Sequence, residues 1–253
     1  MKIASWNVNS LRVRLPQVLE WLATQPVDVL ALQETKTQDH EFPHAEIEEA
    51  GYQVVFSGQK TYNGVAILSK KGATDVVTDV ADLDDPQRRI LTATIDTTRV
   101  VNLYVVNGSE VGSDKYSYKL DWLEKVTAFI EQELKQHKKL VVLGDFNITP
   151  DDRDVHDPEA WHGKILCSEA ERTALRRMLD LGLEDTFRCF DQEDKLFSWW
   201  DYRGGGFRRN HGMRIDLILA SQELIKMCKS SYIDKTPRSW ERPSDHTPVI
   251  AEF

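Results

Sequence analysis

Four carboxylates, three amides and one histidine stand where apolar runs of this sequence stop. Glu34 follows VDVLALQ, and Asp145 follows LVVLG. Asp216 opens DLILAS, and Asp245 precedes His246 shortly before the apolar stretch 249–253. Asn7, Asn9 and Asn147 occupy similar positions, and Tyr104 and Asn107 lie at the end of another run. An oxygen-rich set without cysteine suits hard cations, Mg²⁺ or alternatively Mn²⁺. Mg²⁺ typically takes one or two carboxylates and keeps room for water and a phosphate oxygen. Acids, amides and a histidine around such an ion fit phosphodiester hydrolysis. The ion offsets phosphate charge, a carboxylate orients or deprotonates water, and the histidine stabilises the crowded transition state.

Two local patterns sharpen this expectation. In Gly144-Asp145-Phe146-Asn147 the glycine frees the turn, and Asp145 and Asn147 share a side if the strand pleat continues. An Asx-type turn after a strand would use the same residues. In Ser244-Asp245-His246-Thr247-Pro248, neighbouring side chains of an extended chain point to opposite faces. Asp245 therefore need not pair with His246, and Asp216 is the plausible partner that orients the ring and favours imidazolium. A histidine on the surface near the C-terminus is the plainer reading of the same residue.

These residues need a scaffold that brings distant strand ends together. Helical spacing runs over 11–25, over 115–137 and over 168–181, the last with Ser168 as cap and Glu171 three residues on. Strand-like runs fall at 2–6, 27–32, 52–56, 65–68, 90–95, 100–106, 140–143, 215–219 and 249–253. No Pro/Gly/Ser-rich linker divides them, so residues 1–253 read as a single domain. Loops held at the end of a rigid sheet are a common way to assemble an enzyme site.

Composition narrows the class. Of 253 residues 41% are hydrophobic and 29% charged, with a net charge of −9. That excludes a chain-wide cationic surface but leaves room for a local basic patch. The cysteines, Cys167, Cys189 and Cys228, are odd in number and widely spaced, which disfavours a disulfide framework or a cysteine zinc site. The N-terminus MKIASWNVNS has no apolar signal region, and no stretch approaches a bilayer span. The expectation is a cytoplasmic protein with no membrane contact, and a monomer because no heptad run appears.

The segments ASWNVNSLR, LALQETK, GDFN, RIDLILAS and SDHTPV, in this order from residue 4 to residue 249, resemble the exonuclease III family of abasic-site endonucleases. That family lies within the deoxyribonuclease I-like endonuclease/exonuclease/phosphatase superfamily. GDFN is shared widely, whereas WNVNSLR, VGSDKYSYKLDWL and FSWWDYR are closer to the exonuclease III branch. The resemblance implies an α/β fold, a four-layered α/β sandwich of two packed mixed β-sheets flanked by helices. It implies Glu34 as the main metal ligand, with Asn7 and Asp245 completing the metal and phosphate environment. Asp145 would orient or activate water, Asn147 and Tyr104 would hold the phosphate, and His246, oriented by Asp216, would contact it in the transition state. Either Asp145 or the His246–Asp216 pair would be the base. The implied partner is duplex DNA carrying abasic sites or blocked or recessed 3′ ends. Two departures stand out. Val106 occupies a position where the family often has proline, and Met213 one where some relatives use tryptophan to wall the sugar pocket. Trp199 is expected beside that pocket.

Charge is uneven along the chain. Residues 195–242 hold ten Lys/Arg and five Asp/Glu, a surplus of +5 in an acidic protein. Within them Tyr202-Arg203-Gly204-Gly205-Gly206-Phe207-Arg208-Arg209 interleaves arginine with aromatics, which suits phosphate contact and base stacking. Arg88, Arg89, Lys115 and Lys119 are expected to add phosphate contacts. A solvated flexible loop is the bland reading of the same stretch. Two other functions compete. A non-catalytic nucleic-acid-binding regulator on the same scaffold would have lost acids of the site, and none is missing here. An enzyme acting on sphingomyelin or inositol phosphates would be expected to carry a leader and cysteine pairs.

Overall fold

The computed structural model describes residues 1–80, 83 and 85–253. In chain order its strands are β1 (Lys2–Asn7), β2 (Val29–Gln33), β3 (Gln53–Ser57), β4 (Val65–Ser69), β5 (Ala73–Val77) and β6 (Ile90–Ile95). They continue with β7 (Thr98–Tyr104), β8 (Leu140–Asp145), β9 (Leu183–Asp185), β10 (Asp216–Ser221), β11 (Ser230–Ile233) and β12 (Val249–Glu252). Two six-stranded sheets result, ordered β11-β12-β1-β2-β4-β3 and β5-β6-β7-β8-β10-β9. Both are mixed, because β1 pairs parallel with β2 and β7 parallel with β8.

The alternation of apolar residues explains the layering. In β2, Val29 and Ala31 face the second sheet, while Leu30 and Leu32 face α1 (Leu11–Thr24) and α2 (His44–Glu49). In β8, Val141 and Leu143 face the first sheet. Its Leu140 and Val142 pack on α3 (Asp114–Gln136), and the same slab reaches a later helix, Glu169–Leu179. Strands buried on both faces read as continuous apolar runs, as β2, β4 and β8 do. Three apolar slabs thus separate four layers: helices, sheet, sheet, helices. Among the described residues no helix is long and apolar enough to cross a membrane.

Between the sheets the core turns polar toward one end. Ile3, Ala31 and Val100 belong to the apolar slab, but two residues on stand Ser5, Gln33 and Asn102. Gln33 donates to the Ser5 hydroxyl at 3.0 Å and to Asn102 Oδ1 at 2.8 Å. Asn102 donates to the carbonyls of Leu32 at 3.0 Å and Ala66 at 2.9 Å, bracing one sheet against the other. Two residues further again, the same faces present Asn7 and Tyr104.

Candidate active site

Strand register assembles the first half of the site. Tyr104 pairs with Asp145 and Asp145 with Asp216, so three neighbouring strands set these side chains in one row. Gly144 permits the close approach: with φ 146, a Cβ there would lie 1.8 Å from the Leu103 carbonyl oxygen. His246, in the segment before β12, enters from the other sheet. Its main-chain N–H donates to the Ser244 hydroxyl at 3.2 Å, and that hydroxyl donates to the Asn7 carbonyl at 2.7 Å. The Ser198 hydroxyl accepts the N–H groups of Ile215 and Asp216, both at 3.1 Å, and fixes the start of β10.

Asp145 is the hub. Its Oδ2 accepts from Asn7 Nδ2 at 2.9 Å and from Asn147 Nδ2 at 3.3 Å. Its Oδ1 accepts the Asn147 main-chain N–H at 2.9 Å. β8 ends at Asp145, so the Asp145–Asn147 pairing does not come from a continued pleat. Asn147 adopts φ 49, and this left-handed turn folds its amide back toward the aspartate. His246 Nδ1 bonds Asp216 Oδ2 at 2.9 Å, and Nε2 stands 3.7 Å from Asp145 Oδ2.

Asp145, Asp216 and His246 are all buried, and their charges govern one another. Burial pushes the Asp145 carboxyl up to about 7; His246 opposes this, and Asp216 adds to it. Burial alone would push the His246 imidazolium down, but Asp216 and Asp145 outweigh it and lift it to about 10. Burial, followed by Glu34 and Asp145, holds the Tyr104 hydroxyl well above its ordinary range.

The second half of the site is a chain of oxygen donors. Glu34 accepts the Tyr104 hydroxyl proton on one oxygen, and Lys36 Nζ lies 3.0 Å from the other. Lys36 also donates to Asn9 Oδ1 at 2.7 Å. Asn9 Nδ2 donates to Asp245 Oδ1 at 2.9 Å, and Trp199 Nε1 to Asp245 Oδ2 at 3.0 Å. Burial works against ionisation of Asp245, yet His246, Trp199 and Asn9 together hold its carboxyl below the ordinary carboxylate range. Asn9, Ser10, Glu34, Lys36 and Asn147 all have positive φ, a concentration of backbone strain that functional sites commonly show.

This donor set fits a divalent cation. Glu34, Asn7, Asn9 and Asp245 supply hard oxygens, and the Lys36 ammonium already bridges two of them as a built-in cation. Asp145, Asp216 and His246 also bring three potential ligand atoms within 4.8 Å of one another. In that trio His246 Nδ1 is engaged by Asp216, so Nε2 is the ring atom that faces Asp145.

The structure places the expected DNA-contacting residues unequally. Lys115, Arg203, Arg208 and Arg209 are exposed. Arg88 is half-buried and pairs with Asp79. Arg89 lies over the Tyr104 ring, 4.6 Å from its centroid, at the margin of the site. Trp199 is partly exposed and touches Asp245, whereas Trp200 is core. Two expectations need correction. Lys119 has no exposed surface, because its ammonium is paired with Glu171 beneath the site loops and faces no phosphate. Met213 is likewise fully buried, packed with Val155, Leu166, Cys167 and Ile215 behind Trp199. Lys36 escaped sequence reasoning altogether; its place two residues after Glu34 is the one signal that could have found it.

The sequence profile of the Endonuclease/Exonuclease/phosphatase family matches residues 4–246. Exodeoxyribonuclease III of Haemophilus influenzae is 37% identical, with all of both chains covered. A Neisseria 3′ phosphatase, solved bound to a product DNA hairpin, is 50% identical with a TM-score of 0.98; the match covers 100% of this chain and 99% of that one. An AP endonuclease from Archaeoglobus fulgidus is 38% identical with a TM-score of 0.96, again over 100% and 99%. With matches of this extent, the chain belongs to the endonuclease/exonuclease/phosphatase family, in its exonuclease III and AP endonuclease branch.

Proposed function

We propose that this chain is a Mg²⁺-dependent DNA repair phosphodiesterase, acting as one domain over residues 1–253. It hydrolyses the bond 5′ to abasic sites, removes 3′-blocking groups and trims 3′ ends of duplex DNA. The relatives are described as an exodeoxyribonuclease, a 3′ phosphatase and an AP endonuclease. All three reactions are one: water attacks phosphorus and a 3′ oxygen leaves.

The observation that carries this reading is Asp145, held by two amides opposite a histidine whose other ring nitrogen is bonded to Asp216. A carboxyl brought near neutrality is suited to take the proton of the attacking water. His246, already an imidazolium, is the wrong partner for that proton. Its Nε2–H instead donates to a phosphoryl oxygen as charge builds there. Asn147 and the Tyr104 hydroxyl, kept protonated by its surroundings, orient the phosphate. Glu34, Asp245 and Asn7 would hold Mg²⁺, which offsets phosphate charge when bound. Exposed Arg203, Arg208 and Arg209 track the backbone of the duplex, and partly exposed Trp199 flanks the sugar.

The test is a gel assay on labelled duplexes with an internal abasic analogue, a nicked 3′-phosphate end or a recessed 3′ end, run in Mg²⁺ or EDTA. Metal-dependent product that disappears in Glu34→Ala is the expected result. Unchanged substrate in all three with either Mg²⁺ or Mn²⁺ would overturn the enzyme reading in favour of a non-catalytic DNA-binding protein.

A further inference from the structure

Lys119 carries no solvent-exposed surface, and its ammonium uses all three of its protons inside the protein. One goes to Glu171. The other two go to main-chain carbonyls of the site loops, Asn147 at 2.7 Å and Asn107 at 3.1 Å. These two loops are also tied directly, since Asn107 Nδ2 donates to Asn147 Oδ1 at 3.0 Å. Asn147 in turn holds Asp145 through its amide and its main-chain N–H. From the helix surface below, then, a continuous set of hydrogen bonds runs from Lys119 to the proposed base.

The far end of the set is equally fixed. Glu171 lies three residues after Ser168, the cap of the helix Glu169–Leu179, and accepts the N–H groups of Leu166 and Ser168, both at 3.1 Å. Tyr116, one turn before Lys119 on α3, bonds the Ser168 hydroxyl at 2.6 Å. The turn at Gly108 rests on the lysine stem, where an added Cβ would meet Lys119 Cδ at 3.0 Å. A buried ion pair alone is weak grounds for stability, because apolar replacements are often neutral. Here two of the three ammonium protons serve loops that carry site residues, which a purely structural pair would not require.

We propose that Lys119 is a positioning residue for hydrolysis: it pins the Asn107 and Asn147 loops so that Asn147 holds Asp145 in its reactive orientation. The proposal rests on the phosphodiesterase reading above. If the wild type is inactive, that reading fails; if the wild type is active, the variants below judge Lys119.

The experiment compares Lys119→Met, Glu171→Gln and the double variant Lys119→Met/Glu171→Gln, measuring Tm together with kcat and KM on a duplex with a 3′-phosphate. Each assay is run well below the variant's Tm. Lys119→Met strands a buried carboxylate and lowers Tm. The double variant removes both charges, keeps an acceptor for Ser168, and recovers most of the Tm. Its kcat stays down by about 100-fold, the cost typical of a small misplacement of reacting groups, while KM is unchanged. Glu171→Gln alone keeps the two carbonyl contacts and retains kcat. As a structural signature, the Asn147 side-chain amide exchanges its protons with solvent faster in the double variant than in the wild type. The proposal is overturned if the double variant has wild-type kcat, if its loss lies in KM, or if Glu171→Gln loses kcat as severely.

Discussion

Arg214 and Asp216 stand two residues apart, and each anchors a buried cluster of charge built on a different plan. Arg214 Nε donates to Asp154 Oδ1 at 2.6 Å, and Nη2 reaches Asp185 Oδ2 at 2.7 Å. Arg188 Nη2 lies 2.5 Å from the same Asp154 oxygen. Two guanidinium groups thus meet two carboxylates, and the Arg214 guanidinium also covers the Phe187 ring at 4.8 Å. The cluster is balanced and closed. Around Asp216 the count differs, with two buried carboxylates sharing one imidazolium. Negative charge in excess, at the open end of the sheets, needs a further cation or a proton. The comparison teaches that burial alone does not mark a functional charge. The imbalance marks which of these two clusters has something left to bind.

Breaking each cluster in turn should separate the two roles. Asp145→Asn has the largest expected effect on activity, a fall in kcat of roughly 10³-fold for loss of a general base. Its Tm should stay level or rise, because the amide relieves repulsion with Asp216; a variant with near wild-type kcat would remove Asp145 from the chemistry. Arg214→Met should do the opposite. Leaving Asp154 and Asp185 without their main partner costs roughly 3–5 kcal/mol, or about 10 °C in Tm at this chain length. Its kcat, measured where it remains folded, should change little, and a large kcat loss at full stability would tie the closed cluster to catalysis.

A smaller effect, in pH, sharpens the contrast. In metal-free protein both Asp145 and His246 are shifted upward from their ordinary values of 3.8 and 6.5, to about 7 and about 10. For a group shifted upward, the stability it adds is complete below its unfolded value and is lost as pH rises through its folded value. Tm should therefore fall as pH rises from about 4 to about 7 through Asp145, and again toward about 10 through His246. Thermal melts of Asp145→Asn and His246→Gln in EDTA should each flatten one of these slopes. Arg214→Met should lower the curve but leave the Asp145 and His246 contributions to it in place, since both groups keep their own partners. Slopes unaltered in the two site variants would assign the titration elsewhere.

Much of this was legible in the sequence, and the misses share a cause. The helix expected over 115–137 is Asp114–Gln136, the Ser168–Glu171 capping box forms, and the strand expected at 90–95 is Ile90–Ile95. Three strands gave no usable pattern: Ala73–Val77, Leu183–Asp185 and Ser230–Ile233. All three are sheet edges, short and partly exposed, where apolar runs are not demanded. The pairing of Asp216 with His246 could be read because neighbouring residues of a strand diverge. The burial of Lys119 and Met213 could not. Lys119 carries a charge that reads as surface until Glu171, 52 residues on, is brought to it by the packing of two helices. Met213 is hidden by Trp199, its partner in an isolated bridge that no local pattern announces.

The row of Tyr104, Asp145 and Asp216 across three strands carries a consequence for how the chain reaches its working state. A slip of one residue in a strand turns every side chain to the opposite face. Such a slip in β8 would turn Asp145, which shares a face with Val141 and Leu143, toward the apolar slab beneath α3. A carboxylate turned into an apolar slab loses the amide and histidine contacts it has in the correct register, so the misregistered sheet is disfavoured by the same residue that makes the correct one reactive. Asp145 should therefore penalise misregistered chains during folding. Chains that mature should be competent, and refolding should change the yield of this protein far more than the specific activity of the molecules recovered.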